Sequence, residues 1–152
     1  MLVSPMPKVK VSNSSSDSSL KPTKVIRILI VDDHPATREG LAYRVSLEED
    51  LEVCGEAAEL SEALNLANDS DPDLIVVDLG LSRGDGLDLI GRLKARGHRA
   101  KILVWSWRSE TLYAERALRA GATGYISKGE STSAIISAIR RVHTGELHLT
   151  AE

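Results

Sequence analysis

Two kinds of apolar pattern alternate along the chain. Short runs rich in Ile, Val and Leu, too brief for helices, are followed by stretches whose apolar residues recur every three or four positions. The runs are Lys24–Val31 (KVIRILIV), Leu51–Ala57 (LEVCGEA), Leu74–Val77 (LIVV), Lys101–Ser106 (KILVWS) and Gly124–Ser127 (GYIS). The run before Asp78 shows their character best: continuous and β-branched, it reads as a strand buried on both faces, as in parallel sheets. The intervening stretches read as helices. One runs from Pro35 to about Leu47 with Leu41, Ala42 and Val45 on one face. A second opens at Ser61 or Glu59 and runs through Asn68, using Leu64, Leu66 and Ala67. A third spans Leu87–Ala95 with Leu87, Leu89, Ile90 and Leu93. A fourth begins at Ser109-Glu110 and turns Ala114, Ala117 and Leu118 inward. A fifth is capped by Ser131 or Ser133 and places Ile135, Ile139 and Val142 at i, i+4 and i+7. Pro35 suits a first helical turn, and Gly97, Gly121 and Gly145 stand where helices stop.

Five strands alternating with five helices predict an α/β, doubly wound parallel sheet. Right-handed crossovers then bring every strand-end loop to one edge. Residues 24–145 are expected to form this domain. Residues 1–23 are Ser-rich, without apolar period, and are expected to be a disordered tail. Residues 146–152 are expected to be the start of a C-terminal linker or a tail, too short for a domain.

Composition narrows the class. Of 152 residues 42% are hydrophobic, enough for a core, but aromatics are 3% and Phe is absent, so the core must be aliphatic. The net charge of −3 argues against a nucleic-acid module, which normally carries a basic face. The single cysteine, Cys54, excludes an internal disulfide and a cysteine-based metal site, and reads as a buried small residue on a strand. No stretch approaches the roughly 20 apolar residues of a membrane span, and the N-terminal residues lack a signal peptide's apolar core. A cytoplasmic location is expected.

Chemistry collects at the predicted strand ends: Asp32-Asp33 after the first, Asp78 after the third, Ser106 at the fourth and Lys128 after the fifth. If the first and third strands are neighbours, three carboxylates crowd one pocket. That arrangement calls for a compensating cation, and Mg²⁺ suits such hard oxygen ligands. Lys128 adds a point positive charge and Ser106 a hydroxyl. The set suits phosphoryl transfer, in which a carboxylate can itself be the nucleophile. Singly, each of these residues is as easily a solvated or capping group; together, on one edge, they are not. His34 reads as a helix-entry residue, and His98, His143 and His148 as surface residues.

The stretches LIVDDHP, DLIVVDLGLSRGDGLDLI, the Ser after KILVW, and RALRAGATGYISK agree in order and spacing with one family. From about Lys24 to Gly145 the chain resembles the receiver domain of bacterial two-component response regulators. DDHP, AGATGYISK and HTGELHLT look most like the receivers that precede a helix-turn-helix DNA-binding domain. The resemblance implies a flavodoxin-like five-stranded parallel sheet of order 2-1-3-4-5. It implies Asp78 as phosphoacceptor from a sensor histidine kinase or phosphotransfer protein. It implies Mg²⁺ bound directly by Asp33, Asp78 and the main-chain carbonyl of Gly80, with Asp32 acting through water. Lys128 would pair with a phosphoryl oxygen, Ser106 would move to bond the phosphoryl group, and Tyr125 would turn inward behind it. Two positions depart from the pattern. Ser82 stands where many members have Pro, and Trp107 stands where the residue after the switch hydroxyl is often small.

These features predict a phosphorylation-driven switch in a phosphorelay rather than an enzyme that turns over a substrate. Its output is expected to be transcription regulation through a DNA-binding domain in a longer reading frame, this chain itself not binding DNA. A stand-alone receiver is the alternative, and a homodimer is a further partner state. A Mg²⁺-dependent phosphatase with an Asp nucleophile is the competing class, but those enzymes usually place a second acid where this chain has Gly80. Trp107 has three readings: packing inward as core, lying over the loop Leu79–Gly84 as a partial roof of the Asp78 pocket, or projecting from the signalling face, exposed, beside the next helix.

Overall fold

The apolar runs and the periodic stretches form the elements expected of them. In the computed structural model, which describes residues 24–149, the order is β1 (Ile26–Val31), α1 (Pro35–Ser46), β2 (Leu51–Ala57), α2 (Leu60–Ser70), β3 (Leu74–Val77) and α3 (Gly86–Ala95). There follow β4 (Lys101–Ser106), α4 (Glu110–Ala120), β5 (Gly124–Ser127), α5 (Thr132–His143) and β6 (His148–Leu149). The expected Ser-rich tail, residues 1–23, lies outside the described residues.

Alternation along each central strand divides the core into two layers. Ile26, Ile28 and Ile30 of β1 join Leu74, Val76, Leu103 and Ile126 against Leu41 and Val45 of α1 and the Ile135–Val142 face of α5. Leu29 and Val31 join Ile75, Val77, Ile102 and Val104 on the other side, under α2, α3 and α4. All four residues of β3 are fully buried, as a central strand covered on both faces must be. Each such aliphatic side chain contributes about 1.5–3 kcal/mol by leaving water, which is how a core nearly without aromatics suffices.

The sheet is parallel throughout, in the order β2-β1-β3-β4-β5-β6. The flavodoxin-like order 2-1-3-4-5 is therefore present, but the sheet has six strands rather than five. The residues expected to begin a linker contribute β6, where Gly124 and Tyr125 pair with His148 and Leu149. Two residues are too few to show a period. What recruits them is the otherwise open edge of β5, whose backbone groups need partners.

Most boundaries agree with the sequence reading, and the differences have local causes. Glu59 caps α2, which continues to Ser70 before Asp71 turns left-handed (φ 49°). Asp85 caps α3 through its side chain, bonding the Leu87 N–H at 3.0 Å, so the helix starts one residue early, at Gly86. Ser131 rather than Ser133 caps α5, accepting from Ala134 N–H. On α4 only Ala117 is buried; Ala114 and Leu118 are half-buried, and Leu112 is 69% exposed. Cys54 is half-buried, at the point where the pairing of β1 with β2 slips by one residue.

An acidic candidate functional site at the strand ends

Register builds the site. Val31 of β1 pairs with Val77 of β3, so the residues that follow, Asp32 and Asp78, emerge side by side. Val77 pairs with Val104, and Ser106 with Ser127, which brings Ser106 and Lys128 to the same edge. Ladder-like bonds continue past the strands: Asp78 N–H donates to Val31 C=O and Lys128 N–H to Ser106 C=O, at 2.9 and 3.0 Å. The side chains are thus held on rigid backbone.

Lys128 is the centre of the cluster. Its ammonium lies 2.6 Å from Asp32 Oδ2 and 3.0 Å from Asp78 Oδ2, all three side chains buried. The ammonium also sits 5.1 Å from the centre of the Trp105 ring, whose face favours a cation. Asp78 Oδ1 accepts the Gly80 N–H at 3.2 Å, which brings Gly80 into the same site. Behind this loop, a Cβ on Gly86 would stand 2.6 Å from Leu79 Cα and closer still to Asp78 O, so only glycine lets α3 start so near the acidic strand end.

His34 is more than a helix-entry residue. It does cap α1, but its Nδ1 stands 3.0 Å from Asp32 Oδ1, 3.1 Å from Asp33 Oδ1 and 3.7 Å from Asp78 Oδ2. Its side chain is 59% exposed, so it closes the cluster toward solvent. Nδ1 carries at most one hydrogen, and the hydrogen bond goes to Asp32. Asp33 Oδ1 is left buried with no hydrogen-bond partner. The signal for this was the direct succession Asp-Asp-His at a strand end.

Ser106 and Tyr125 sit behind the acids. Ser106 Oγ is buried and accepts the Arg108 N–H at 3.0 Å. Tyr125 points inward with no exposed surface, and its hydroxyl donates to Arg108 C=O at 3.0 Å. Burial pushes the Tyr125 phenol up, and the neighbouring Ser106 hydroxyl opposes this only in part, so the hydroxyl remains a donor. Trp107 is 70% exposed, and its ring lies 3.6 Å from where a Gly129 Cβ would be, on the side of the β5–α5 turn. It is Arg108 that lies over Gly80. Nothing in the sequence pattern marked Arg108. Of the remaining histidines, His98 is not simply a surface residue: its ring bonds Ala67 C=O and the Ala100 N–H, at 3.0 and 3.1 Å. His148 is half-buried, and neither ring nitrogen has a hydrogen-bond partner.

Three carboxylates against one ammonium leave two negative charges uncompensated when all are ionised. Asp32, Asp33, His34 and Asp78 each offer a ligand atom, and these lie within 4.8 Å of one another. Hard oxygen donors, a net negative charge and an orphaned Asp33 oxygen fit a divalent cation. Anion chemistry is equally provided for, since Lys128 and the Ser106 hydroxyl meet at the same edge.

Comparison with known proteins bears on the family and the fold. Residues 28–140 match the family model described as the response regulator receiver domain. The chain is 38% identical over 120 residues to the virulence-factors transcription regulator BvgA of Bordetella pertussis, covering 78% of this chain and 56% of that protein. It is 32% identical over 123 residues to the nitrate/nitrite response regulator protein NarL of Escherichia coli, covering 81% and 57%. Its structure is similar to that of a LuxR-family two-component response regulator from Aurantimonas sp. SI85-9A1, with a TM-score of 0.78, 30% identity, and 82% and 89% of the two chains covered. The chain spans little more than half the length of the curated relatives it matches. No helix among the described residues is long and apolar enough to cross a membrane.

Proposed function

We propose a function from one premise: this chain belongs to the response regulator receiver-domain family. It is the phosphorylation-driven switch of a two-component signalling system. Asp78 accepts a phosphoryl group from a phosphohistidine on a sensor kinase or phosphotransfer protein. A carboxylate oxygen of Asp78 bonds to phosphorus as the N–P bond breaks, and the imidazole leaves with the electron pair and takes up a proton. The observation that carries this reading is the buried bridge from Lys128 to both Asp32 and Asp78, beside an unpartnered Asp33 oxygen.

Each side chain has a part in it. Lys128 is already within hydrogen-bond distance of Asp78 and can pair with an oxygen of the incoming group. Ser106 is the neutral donor that turns to the same group, and Tyr125 fills the space behind it. Asp33, Asp78 and the main-chain carbonyl of Gly80, with Asp32 through water, would hold Mg²⁺. When bound, that ion neutralises the charge between carboxylate and phosphoryl oxygens. The new dianionic group then biases a two-state loop and helix, which is how a local charge becomes a signal.

The relative named as a transcription regulator supports a transcriptional output; in this reading a DNA-binding output domain outside this chain delivers it, and the switch works in the cytoplasm. This chain catalyses only its own phosphorylation and dephosphorylation. Residues 24–145 are the switching unit; β6 extends it by one strand. The phosphatase reading is weaker because Gly80 holds the position where such enzymes place a second acid. Intact-mass measurement after incubation with acetyl phosphate and Mg²⁺ tests the assignment. Wild type should gain one phosphoryl group and Asp78→Asn none; equal labelling of the two would overturn it.

A further inference from the structure

Three separate contacts of the site pass through Arg108, which no sequence motif singled out. Its N–H donates to Ser106 Oγ and its C=O accepts from the Tyr125 hydroxyl, each at 3.0 Å. The backbone of one exposed residue therefore holds both groups that lie behind the acids. Its side chain reaches the other way. The guanidinium lies over Gly80: a Cβ built there would be 3.5 Å from Nη2 and 3.9 Å from Nε. Gly80 in turn donates its N–H to Asp78 Oδ1 at 3.2 Å. A planar cation thus stands at the rim of the acidic site, beside the residue whose N–H bonds Asp78.

The same guanidinium is tied to α4. Its Cζ is 5.3 Å from the centre of the Tyr113 ring, and Arg116 Cζ lies 5.4 Å from that ring as well. The helix that carries Tyr113 is the least anchored of the five, with Ala117 its only buried residue. A small force at one end can shift such an element, because few buried contacts oppose the shift.

We propose that Arg108 is a phosphoryl-binding residue: its guanidinium closes over Gly80 onto the phosphoryl group of Asp78, leaves the Tyr113 ring, and so passes the state of Asp78 to α4. This rests on Asp78 being the acceptor. The chemistry favours the move. Before phosphorylation the guanidinium has an aromatic face, a contact of about 0.5–1 kcal/mol when exposed. Afterwards it has phosphoryl oxygens, which a guanidinium fork binds with charge-assisted hydrogen bonds. Closure also covers the phosphorus. Loss of the group is hydrolysis: a water oxygen bonds to phosphorus, the bond to Asp78 breaks with its electron pair going to the carboxylate, and the water's proton is released. Arg108 in place slows that step by excluding the water.

The test compares wild type, Arg108→Ala and Arg108→Lys, each loaded with acetyl phosphate and Mg²⁺ and then freed of donor. Intact mass follows the decay, and the ring-proton resonances of Tyr113 are recorded before and after loading. Arg108→Ala should lose the group about tenfold faster, roughly the loss of one charge-assisted hydrogen bond, with Arg108→Lys between the two. The Tyr113 resonances should shift on loading in wild type and stay in place in Arg108→Ala. If Arg108→Ala does not fold, Arg108→Gln carries the same expectation. A wild type that takes up no phosphoryl group overturns the reading of Asp78 itself. Labelling of wild type with an unchanged decay in the variants, or the same Tyr113 shift with and without the guanidinium, overturns the role of Arg108 alone.

Discussion

Lys128 Nζ lies 2.6 Å from Asp32 Oδ2, a buried contact between residues 96 positions apart. Burying both charges is costly, and the pair gains mainly by neutralising what the fold forces together. Lys128 therefore competes with any divalent cation for Asp32 and Asp78. Replacing it with Met should lower the unfolding temperature in metal-free buffer, since two buried acids lose their partner. Mg²⁺ should restore most of that loss. Mg²⁺ affinity should rise about tenfold, equivalent to about 1.4 kcal/mol. Calorimetric titration beside thermal unfolding measures both; an affinity equal to wild type would show that Lys128 and the cation do not compete.

Two glycines of α3 should respond oppositely to alanine. At Gly86 a Cβ meets Leu79 Cα at 2.6 Å and crowds the Asp78 carbonyl, so backbone must move. Gly86→Ala should cost about 1–3 kcal/mol and weaken Mg²⁺ binding, because the displaced loop carries Asp78. At Gly91 a Cβ has nothing within 4 Å. Gly91→Ala should stabilise by about 0.5–1 kcal/mol through helix propensity and leave Mg²⁺ binding alone. Denaturant unfolding of the pair checks this, and a Gly86→Ala protein as stable as wild type would count against the close approach.

The docking of β6 should depend on pH. Burial, helped by the Arg141 charge, holds His148 below the ordinary histidine value of 6.5, while Glu110 and Glu130 oppose this weakly. A detached β6 has a solvated His148 that binds more protons than the docked one. Docking is therefore at full strength above 6.5, weakens as pH falls through that value, and is lost progressively toward the docked pKa. The methyl resonances of Leu149, which pairs with Tyr125, should report detachment on acidification. His148→Gln should abolish the pH dependence. The same acid shift of Leu149 in that variant would assign the effect elsewhere.

By itself the sequence determined the elements and the kinds of residue at their ends. Apolar run length, three-to-four residue spacing, and Pro, Ser and Gly at helix ends act within a few positions of each other. They placed all five helices and five strands to within a residue or two. Asp32, Asp33, Asp78, Ser106 and Lys128 stood out because each follows or ends an apolar run. Tertiary structure decided what is not local. The pairing of Val31 with Val77 sets Asp32 against Asp78, and a one-residue slip of either strand would turn its own acid away from the other. Lys128 becomes a bridge only through the β4–β5 register. β6 exists because the edge of β5 offers backbone partners, which two residues cannot advertise. His34 joined the acids and Arg108 came to lie over Gly80 because neighbouring strand ends and loops converge on one sheet edge. Such contacts depend on three-dimensional distance, and spacing along the chain does not encode it.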